Sequence, residues 1–257
     1  MNYQFIRFRI ENRVARIALA RPPLNVINLA MMRELASCLR VCQAQPDVVA
    51  VVFEAIPEAR AFSVGVAVED HAEDVVYQML ESFHGLFRFL EQMGKPALAL
   101  VDGAALGGGC ELIAACDIVI ATDRAKFGQP EIKLGMFPPV ACALLPRVIG
   151  EKRAREMILT GDLWDAATAC QCGLVNYVVS PGQLEAKGQE ILGKLRELSA
   201  SVLQTTKQAM ELGRGSNFIE ALDKMQSFYL NELLRVEDAK EGVRAFAESR
   251  KPVWRNR

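Results

Sequence analysis

The sequence lacks an excess of charge of either sign. Its 257 residues hold 30 lysines and arginines against 31 aspartates and glutamates, a net charge of −1. Such a balance supplies no field that would attract nucleic acid or an anionic membrane surface, so an anionic ligand must be held by a local cluster. We therefore expect no nucleic-acid partner.

Long apolar runs are also lacking. None reaches the length that a membrane span requires, and no uninterrupted signal-peptide core is found near the N-terminus. Charged side chains divide that segment, namely Arg7, Arg9, Glu11, Arg13 and Arg16. The sequence predicts a cytoplasmic protein with no membrane partner.

Histidine is scarce and the cysteines form no framework. The chain has two histidines, His71 and His84, and neither has a metal-binding spacing with a cysteine. Seven cysteines, an odd number in apolar segments, are typical of a reducing compartment. The close pairs Cys38/Cys42 and Cys170/Cys172 have no partner ligands, so we expect no metal site and small buried thiols instead.

What is present is enough apolar material for a large core, with 51% hydrophobic residues. Residues 3–10 and 13–19 resemble paired strands, 29–43 has helical periodicity, and 48–55, 97–101 and 117–121 are apolar runs typical of strands buried on both faces. The order predicts an α/β fold built from β–β–α turns or βαβ units.

After about residue 180 the pattern becomes helical, with apolar stripes along 182–200 and 217–234. We therefore divide the chain into an α/β core, 1–200, and a helical C-terminal region, 201–257. The helical region can be an oligomerisation element or can cover its own core, and the pattern alone leaves both open.

A run of three glycines, residues 107–109, precedes Glu111 where a helix is expected to begin. Glycines there expose unpaired N–H groups at the positive end of a helix dipole, which suits an oxyanion. The spacing matches neither a P-loop nor a dinucleotide-binding motif. A second donor is expected near Val66, where Gly65 lets the chain turn after a buried strand.

Two carboxylates stand in apolar surroundings, Glu111 and Glu131, and such a pair suits the addition of water, with one accepting a proton and the other donating one. The alternative is that Glu111 caps its own helix and Glu131 is a solvated loop residue. Ser63 is a further candidate nucleophile, but Ala61 stands where Gly-x-Ser-x-Gly requires glycine.

The chain resembles the enoyl-CoA hydratase/isomerase, or crotonase, superfamily over nearly its whole length. Three segments carry the resemblance: "AFSVGV", "DGAALGGGCELIAACDIVIATDRAKFGQPEIKLG" and "EGVRAFAESRKPVW". The resemblance implies a spiral core of β–β–α turns followed by helices that form trimers or pairs of trimers. It also implies an oxyanion hole for an acyl-CoA thioester at the N–H groups of Val66 and Gly108. Glu111 and Glu131 match the acid/base pair of the hydratases. Coenzyme A is then part of the substrate, and no other cofactor is implied.

The same resemblance implies a set of substrate contacts: Leu24, Phe62, Ser63, Val64, Pro130, Phe137, Pro138, Val140 and Phe246, the last from a neighbouring subunit. The chain departs from many relatives where Pro23 and Ser249 replace basic residues. Arg21, Arg250 or Lys251 are therefore expected to carry the phosphate contacts.

Bulky residues, "MFPPVACALL", replace a flexible glycine-rich loop after Glu131, which indicates a rigid apolar acyl pocket. With "PPLNVIN", "FSVGV" and "EDH", this loop resembles the alicyclic dienoyl-CoA hydratases, which act on cyclohexa-1,5-diene-1-carbonyl-CoA. Three alternatives stay open: a short linear acyl group, an isomerase, dehalogenase or hydrolase that shares the CoA site, and a non-catalytic acyl-CoA binder.

Overall fold

The computed structural model describes residues 3–257, and its larger sheet has six strands. An antiparallel hairpin, β1 (Ile6–Glu11) and β2 (Val14–Leu19), turns through Asn12 and Arg13, which have φ of 48° and 66°. Four strands then continue the sheet in parallel, β3 (Ala50–Ala55), β5 (Ala97–Val101), β7 (Ile118–Thr122) and β10 (Tyr177–Val179). Their spatial order is β1-β2-β3-β5-β7-β10.

A second, smaller sheet has four short strands. Its strands have two or three residues each and lie in the order β4 (Ala61–Ser63), β6 (Ala104–Leu106), β8 (Lys126–Gly128) and β9 (Trp164–Asp165). The first three are parallel. Parallel pairing aligns the C-terminal ends of β4, β6 and β8, so the loops that follow these strands meet at one edge.

Helices connect the strands of the two sheets. In chain order they are α1 (Leu29–Ala44), α2 (Val76–Met93), α3 (Gly108–Ala114), α4 (Pro139–Ile149), α5 (Glu151–Thr160) and α6 (Ala166–Gln171). Asn28 caps α1 by accepting a hydrogen bond from the Met31 N–H at 3.0 Å. Short 3-10 helices at Val68–His71 and Pro130–Leu134 follow β4 and β8.

The C-terminal part is helical, as the sequence predicts. It comprises α7 (Leu184–Arg196), α8 (Ala200–Leu212), α9 (Phe218–Asn231) and α10 (Glu237–Ala247). The apolar stripe along 182–200 lies mainly on α7, and the Ser199 side chain accepts from the Val202 N–H at 3.2 Å and begins α8. The predicted division after residue 200 coincides with this start and stays a prediction.

The central strands of the larger sheet, β2, β3, β5 and β7, are buried on both faces. One face packs on α1, α2 and the smaller sheet, and the other packs Val52, Leu98 and Ile120 against Ile191 and Leu192 of α7. This confirms the buried-strand interpretation of the apolar runs and the α/β class. Within residues 3–257, no helix is long and apolar enough to cross a membrane.

Candidate active site

Two glycine-containing loops meet where β4 and β6 end. Gly65, with φ of 106°, follows β4, and Gly107, with φ of 50°, follows β6. A Cβ built on Gly65 would lie 3.2 Å from the Gly108 nitrogen, and one built on Gly108 would lie 3.4 Å from the Val66 nitrogen. Neither the Val66 nor the Gly108 N–H donates a hydrogen bond within the described chain. Two adjacent unpaired donors therefore face the same space, the arrangement that an oxyanion hole requires.

Backbone contacts with the segment before α1 hold the Val66 loop. The Ile27 N–H donates to the Gly65 oxygen at 2.8 Å, and the Ala67 N–H donates to the Ile27 oxygen at 2.9 Å. These two bonds on either side of Val66 fix the direction of its own N–H.

Ser63 has a structural role in this loop. Its fully buried hydroxyl donates to the Asn25 oxygen at 2.8 Å and accepts from the Gly65 N–H at 3.1 Å. Both hydrogen bonds fix the loop, so the structure gives no support to the hypothesis of a nucleophilic serine.

Glu111 lies in the first turn of α3 and is only 3% exposed. Its Oε1 accepts a hydrogen bond of 2.7 Å from the Ala141 N–H at the start of α4, so it does not cap its own helix. Burial raises the pKa of Glu111 to about 8; the hydrogen bond from Ala141 opposes this rise, and the nearby Glu131 adds to it. Near neutral pH this carboxyl group can therefore hold or release a proton.

Glu131 follows β8, in the first turn of the 3-10 helix Pro130–Leu134. Its carboxylate lies against Gly107, where a Cβ would be 2.5 Å from Glu131 Oε1. Its Oε2 is buried and has no hydrogen-bond partner. Burial raises the pKa of Glu131, and His71 acts in the opposite direction. Glu131 is therefore not the solvated loop residue of the alternative interpretation.

These groups line one cavity of ≈ 390 Å³. Val66, Gly108, Glu111 and Glu131 all contribute to its wall, which is otherwise largely apolar. The other side chains on the wall come mainly from α2 and from the segment after Glu131: Val76, Met79, Leu80, Phe83, His84, Leu134, Met136, Phe137, Pro138 and Pro139. The predicted contacts Val64, Pro130, Phe137 and Pro138 are among the lining residues.

Other predicted contacts do not line this cavity. Phe62 and Ser63 are fully buried, backbone included, so their assignment to the substrate stays a prediction. Leu24 lies outside the cavity with 41% exposure, Val140 lines a neighbouring cavity, and Phe246 is 89% exposed on α10. The assignments of Leu24, Val140 and Phe246 to the substrate stay predictions.

The three basic residues expected to contact the phosphate groups of coenzyme A differ in whether their side chains already have partners in the protein. Arg250 is engaged by Glu241 and Glu248, each at 2.6 Å, and its hydrogen bonds lower the pKa of Glu241 to about 2. Arg21 donates to the Val26 oxygen at 2.9 Å and stacks over Phe5. Lys251 makes no ion pair within the described residues, so its side chain is the most available of the three for a phosphate group.

Two parts of this cavity were not predicted from the sequence, namely the wall formed by α2 and the two histidines as lining residues. His71 and His84 line the cavity, and the Nδ1 of His71 hydrogen-bonds the Ala67 oxygen at 3.0 Å. A helical apolar periodicity over 76–93 could have predicted α2, but nothing in it indicates which helix face borders the glutamates.

Comparison with known proteins agrees with this geometry. A family model described as enoyl-CoA hydratase/isomerase matches residues 9–257. A cyclohexa-1,5-dienecarbonyl-CoA hydratase of Thauera aromatica is 35% identical, covering 96% of this chain and 95% of the relative. A short-chain-enoyl-CoA hydratase of Clostridium acetobutylicum is 33% identical, covering 94% of each.

Among solved structures, an enoyl-CoA hydratase from Bacillus anthracis superimposes with a TM-score of 0.91 at 30% identity, covering 99% of this chain and 100% of that one. The family match therefore extends from the first sheet to the last helix. Since the family model covers nearly the whole chain, the chain belongs to the enoyl-CoA hydratase/isomerase family.

Proposed function

We propose that the protein adds water across a conjugated C=C bond of a compact, ring-shaped acyl-CoA thioester. The family match and the relatives support the coarser level, an enzyme of the enoyl-CoA hydratase type and hence a hydro-lyase. The observation that carries the proposal is that two unpaired N–H groups, the buried Glu111 and the half-buried Glu131 line the same cavity.

The N–H groups of Val66 and Gly108 would hold the thioester carbonyl oxygen. Hydration places negative charge on this oxygen as an enolate forms, and donors already aimed there stabilise that charge without rearrangement. One such donor contributes about 10²–10³ in rate. The glycines at 65, 107 and 108 allow this close approach of the carbonyl to backbone.

Glu111 would take a proton from water, and the resulting hydroxide would bond to the β-carbon. Glu131, protonated at the start, would deliver its proton to the α-carbon. This leaves a proton on Glu111 and none on Glu131, so a proton transfer from Glu111 to Glu131 through solvent restores the starting pair, and the net change is one added water. Burial raises the pKa of both carboxyl groups, so one of the two can hold the proton that the α-carbon receives. The reaction needs no cofactor, since coenzyme A is part of the substrate.

Two features support a ring-shaped acyl group. Consecutive prolines, Pro138 and Pro139, replace flexible backbone in the cavity wall, and Pro138 is buried. The Thauera aromatica relative is named for a cyclic dienoyl-CoA. We therefore take cyclohexa-1,5-diene-1-carbonyl-CoA as the candidate substrate.

The test is kcat/KM for the cyclic dienoyl-CoA against crotonyl-CoA, because this ratio reports differential binding of the two transition states. We expect the cyclic thioester to be preferred. A tenfold or greater preference for crotonyl-CoA would overturn the ring-shaped substrate and leave the hydratase mechanism standing.

Product analysis separates the remaining alternatives. Mass spectrometry of the reaction should detect a thioester heavier by one water, whereas an isomerase would give a product of unchanged mass. A chain that binds acyl-CoA without catalysis would return the substrate intact. The trimeric assembly and the cytoplasmic location inferred from the sequence stay predictions.

A further inference from the structure

His84 has a buried ring nitrogen that nothing in the catalytic scheme uses. Its Nε2 is shielded from solvent and has no hydrogen-bond partner within the described chain. Neither Glu111 nor Glu131 depends on it for a hydrogen bond. An unsatisfied buried polar atom costs free energy unless a ligand or water pairs with it.

The His84 side chain forms part of the wall of the catalytic cavity. His84 and Pro139 are the two residues common to the linings of the catalytic cavity and of a neighbouring cavity of ≈ 520 Å³. They therefore form the boundary between the two spaces. The catalytic wall on α2 is otherwise apolar, formed by Val76, Met79, Leu80 and Phe83, so His84 is its single polar side chain.

The imidazole is suited to a neutral partner. Burial, aided by the nearby Arg88, lowers the pKa of His84, and Glu81 acts in the opposite direction. A neutral imidazole offers one N–H donor and one lone pair, and either can be placed on Nε2 by choice of tautomer. A hydroxyl group can both donate and accept, so it satisfies either tautomer.

We propose that His84 is a specificity-determining residue whose Nε2 hydrogen-bonds a hydroxyl or carbonyl oxygen on the acyl group, beyond the carbons that react. The inference rests on the proposed function, because it describes the acyl group that the same cavity accepts. It refines the acyl class of that function: a thioester whose acyl group carries an oxygen substituent should be preferred to its unsubstituted counterpart, and a ring with such a substituent to the plain cyclohexadiene ring.

The first experiment compares matched enoyl-CoA pairs that differ by one hydroxyl group on C4, C5 or C6. For wild type we expect at least one hydroxylated thioester to have a higher kcat/KM than its deoxy partner. In His84→Leu that ratio should fall at least tenfold, and His84→Gln, which keeps a polar side chain, should restore part of it. The exposed Tyr77 on the same helix supplies the control, since Tyr77→Leu should keep the ratio.

A binding measurement separates failure of this inference from failure of the hydratase function. Calorimetry with saturated thioesters, which cannot be hydrated, compares each hydroxyacyl-CoA with its deoxy analogue in wild type and His84→Leu. A preference for hydroxyacyl-CoA that only the variant loses supports the role of His84 even if no enoyl-CoA turns over. Equal affinities for every pair in both proteins, or equal losses for both members of a pair, would overturn it.

Discussion

At the scale of single residues, we expect the two glutamates to transfer protons and the two backbone N–H groups to stabilise the negative charge. We expect Glu111→Gln and Glu131→Gln each to lower kcat for hydration by about 10²–10⁴, because each removes one proton-transfer group. The oxyanion donors remain, so the affinity for a saturated acyl-CoA should change little. Stopped-flow kinetics and calorimetry on the same preparations measure both; an equal loss of affinity would contradict the assignment.

The buried carboxyl group of Glu111 should also make stability depend on pH. Its pKa is about 8 in the folded protein against an ordinary 4.5, so between these values the folded state binds more protons than the unfolded state. The free energy of unfolding therefore falls as pH rises through this window. Glu111→Gln lacks this titration. The difference obtained by subtracting the wild-type Tm from the Tm of the variant should therefore rise by about 2 °C or more between pH 5 and pH 8.

The control for this effect is Glu58→Gln, which changes an exposed carboxyl group. Its Tm difference from wild type should be the same at both pH values. Scanning calorimetry at several pH values checks the prediction, and a Tm of Glu111→Gln that does not rise relative to the wild-type Tm as pH increases would contradict it.

The backbone at Gly108 leaves no room for a side chain beside Val66. In Gly108→Ala the new Cβ would lie 2.9 Å from both Phe83 Cζ and Val66 Cγ2, so Val66 must move. We expect kcat to fall by about 10², the contribution of one oxyanion donor. Gly85→Ala is the matched control, since its Cβ meets nothing within 4 Å in α2 and should leave kcat unchanged. Equal kcat values for the two variants would argue against a backbone oxyanion hole at Gly108.

At the scale of elements, the start of α4 sets the position of Glu111. Pro138 and Pro139 have no N–H, and the Ala141 N–H that follows them is the donor to Glu111 Oε1. We expect Pro139→Gly to lower the free energy of unfolding by about 1 kcal/mol and to reduce kcat, because the freer backbone holds the donor less firmly. Denaturant titration and steady-state kinetics measure the two effects.

Pro181 provides a matched comparison for Pro139. It is exposed, begins the 3-10 helix Pro181–Gln183, and lies outside the cavity lining. Pro181→Gly should therefore leave kcat at the wild-type value. A similar loss of kcat in both variants would mean that the proline at 139 acts only through general stability.

The elements also explain how far the sequence could predict this molecule. The apolar runs at 48–55, 97–101 and 117–121 predict β3, β5 and β7, because strands buried on both faces need no alternation. Strands β4, β6 and β8 have three residues each, too few for any periodicity. The glutamates could be proposed from their setting, but the contact between Glu111 and Ala141 spans 30 residues and depends on packing.

At the scale of the whole molecule, the helical region exposes many large apolar side chains. On α9 these are Phe218, Ile219, Leu222, Tyr229 and Leu230, each more than half exposed, and on α10 Val243 and Phe246 are exposed by 74% and 89%. Apolar exposure on this scale is typical of an interaction surface. We expect light scattering at micromolar concentration to give a trimer or a multiple of it. A mass equal to one chain would contradict the prediction.

The two histidines give this enzyme a built-in spectroscopic signal. Since the chain contains His71 and His84 and no other histidine, and both line the catalytic cavity, its imidazole NMR spectrum is made up entirely of active-site resonances. Isotope labelling of histidine alone would thus report, without any engineered probe, when a thioester enters the cavity. The His84 signals would report on the acyl group, and the His71 signals on the neighbourhood of Glu131 and the Val66 loop.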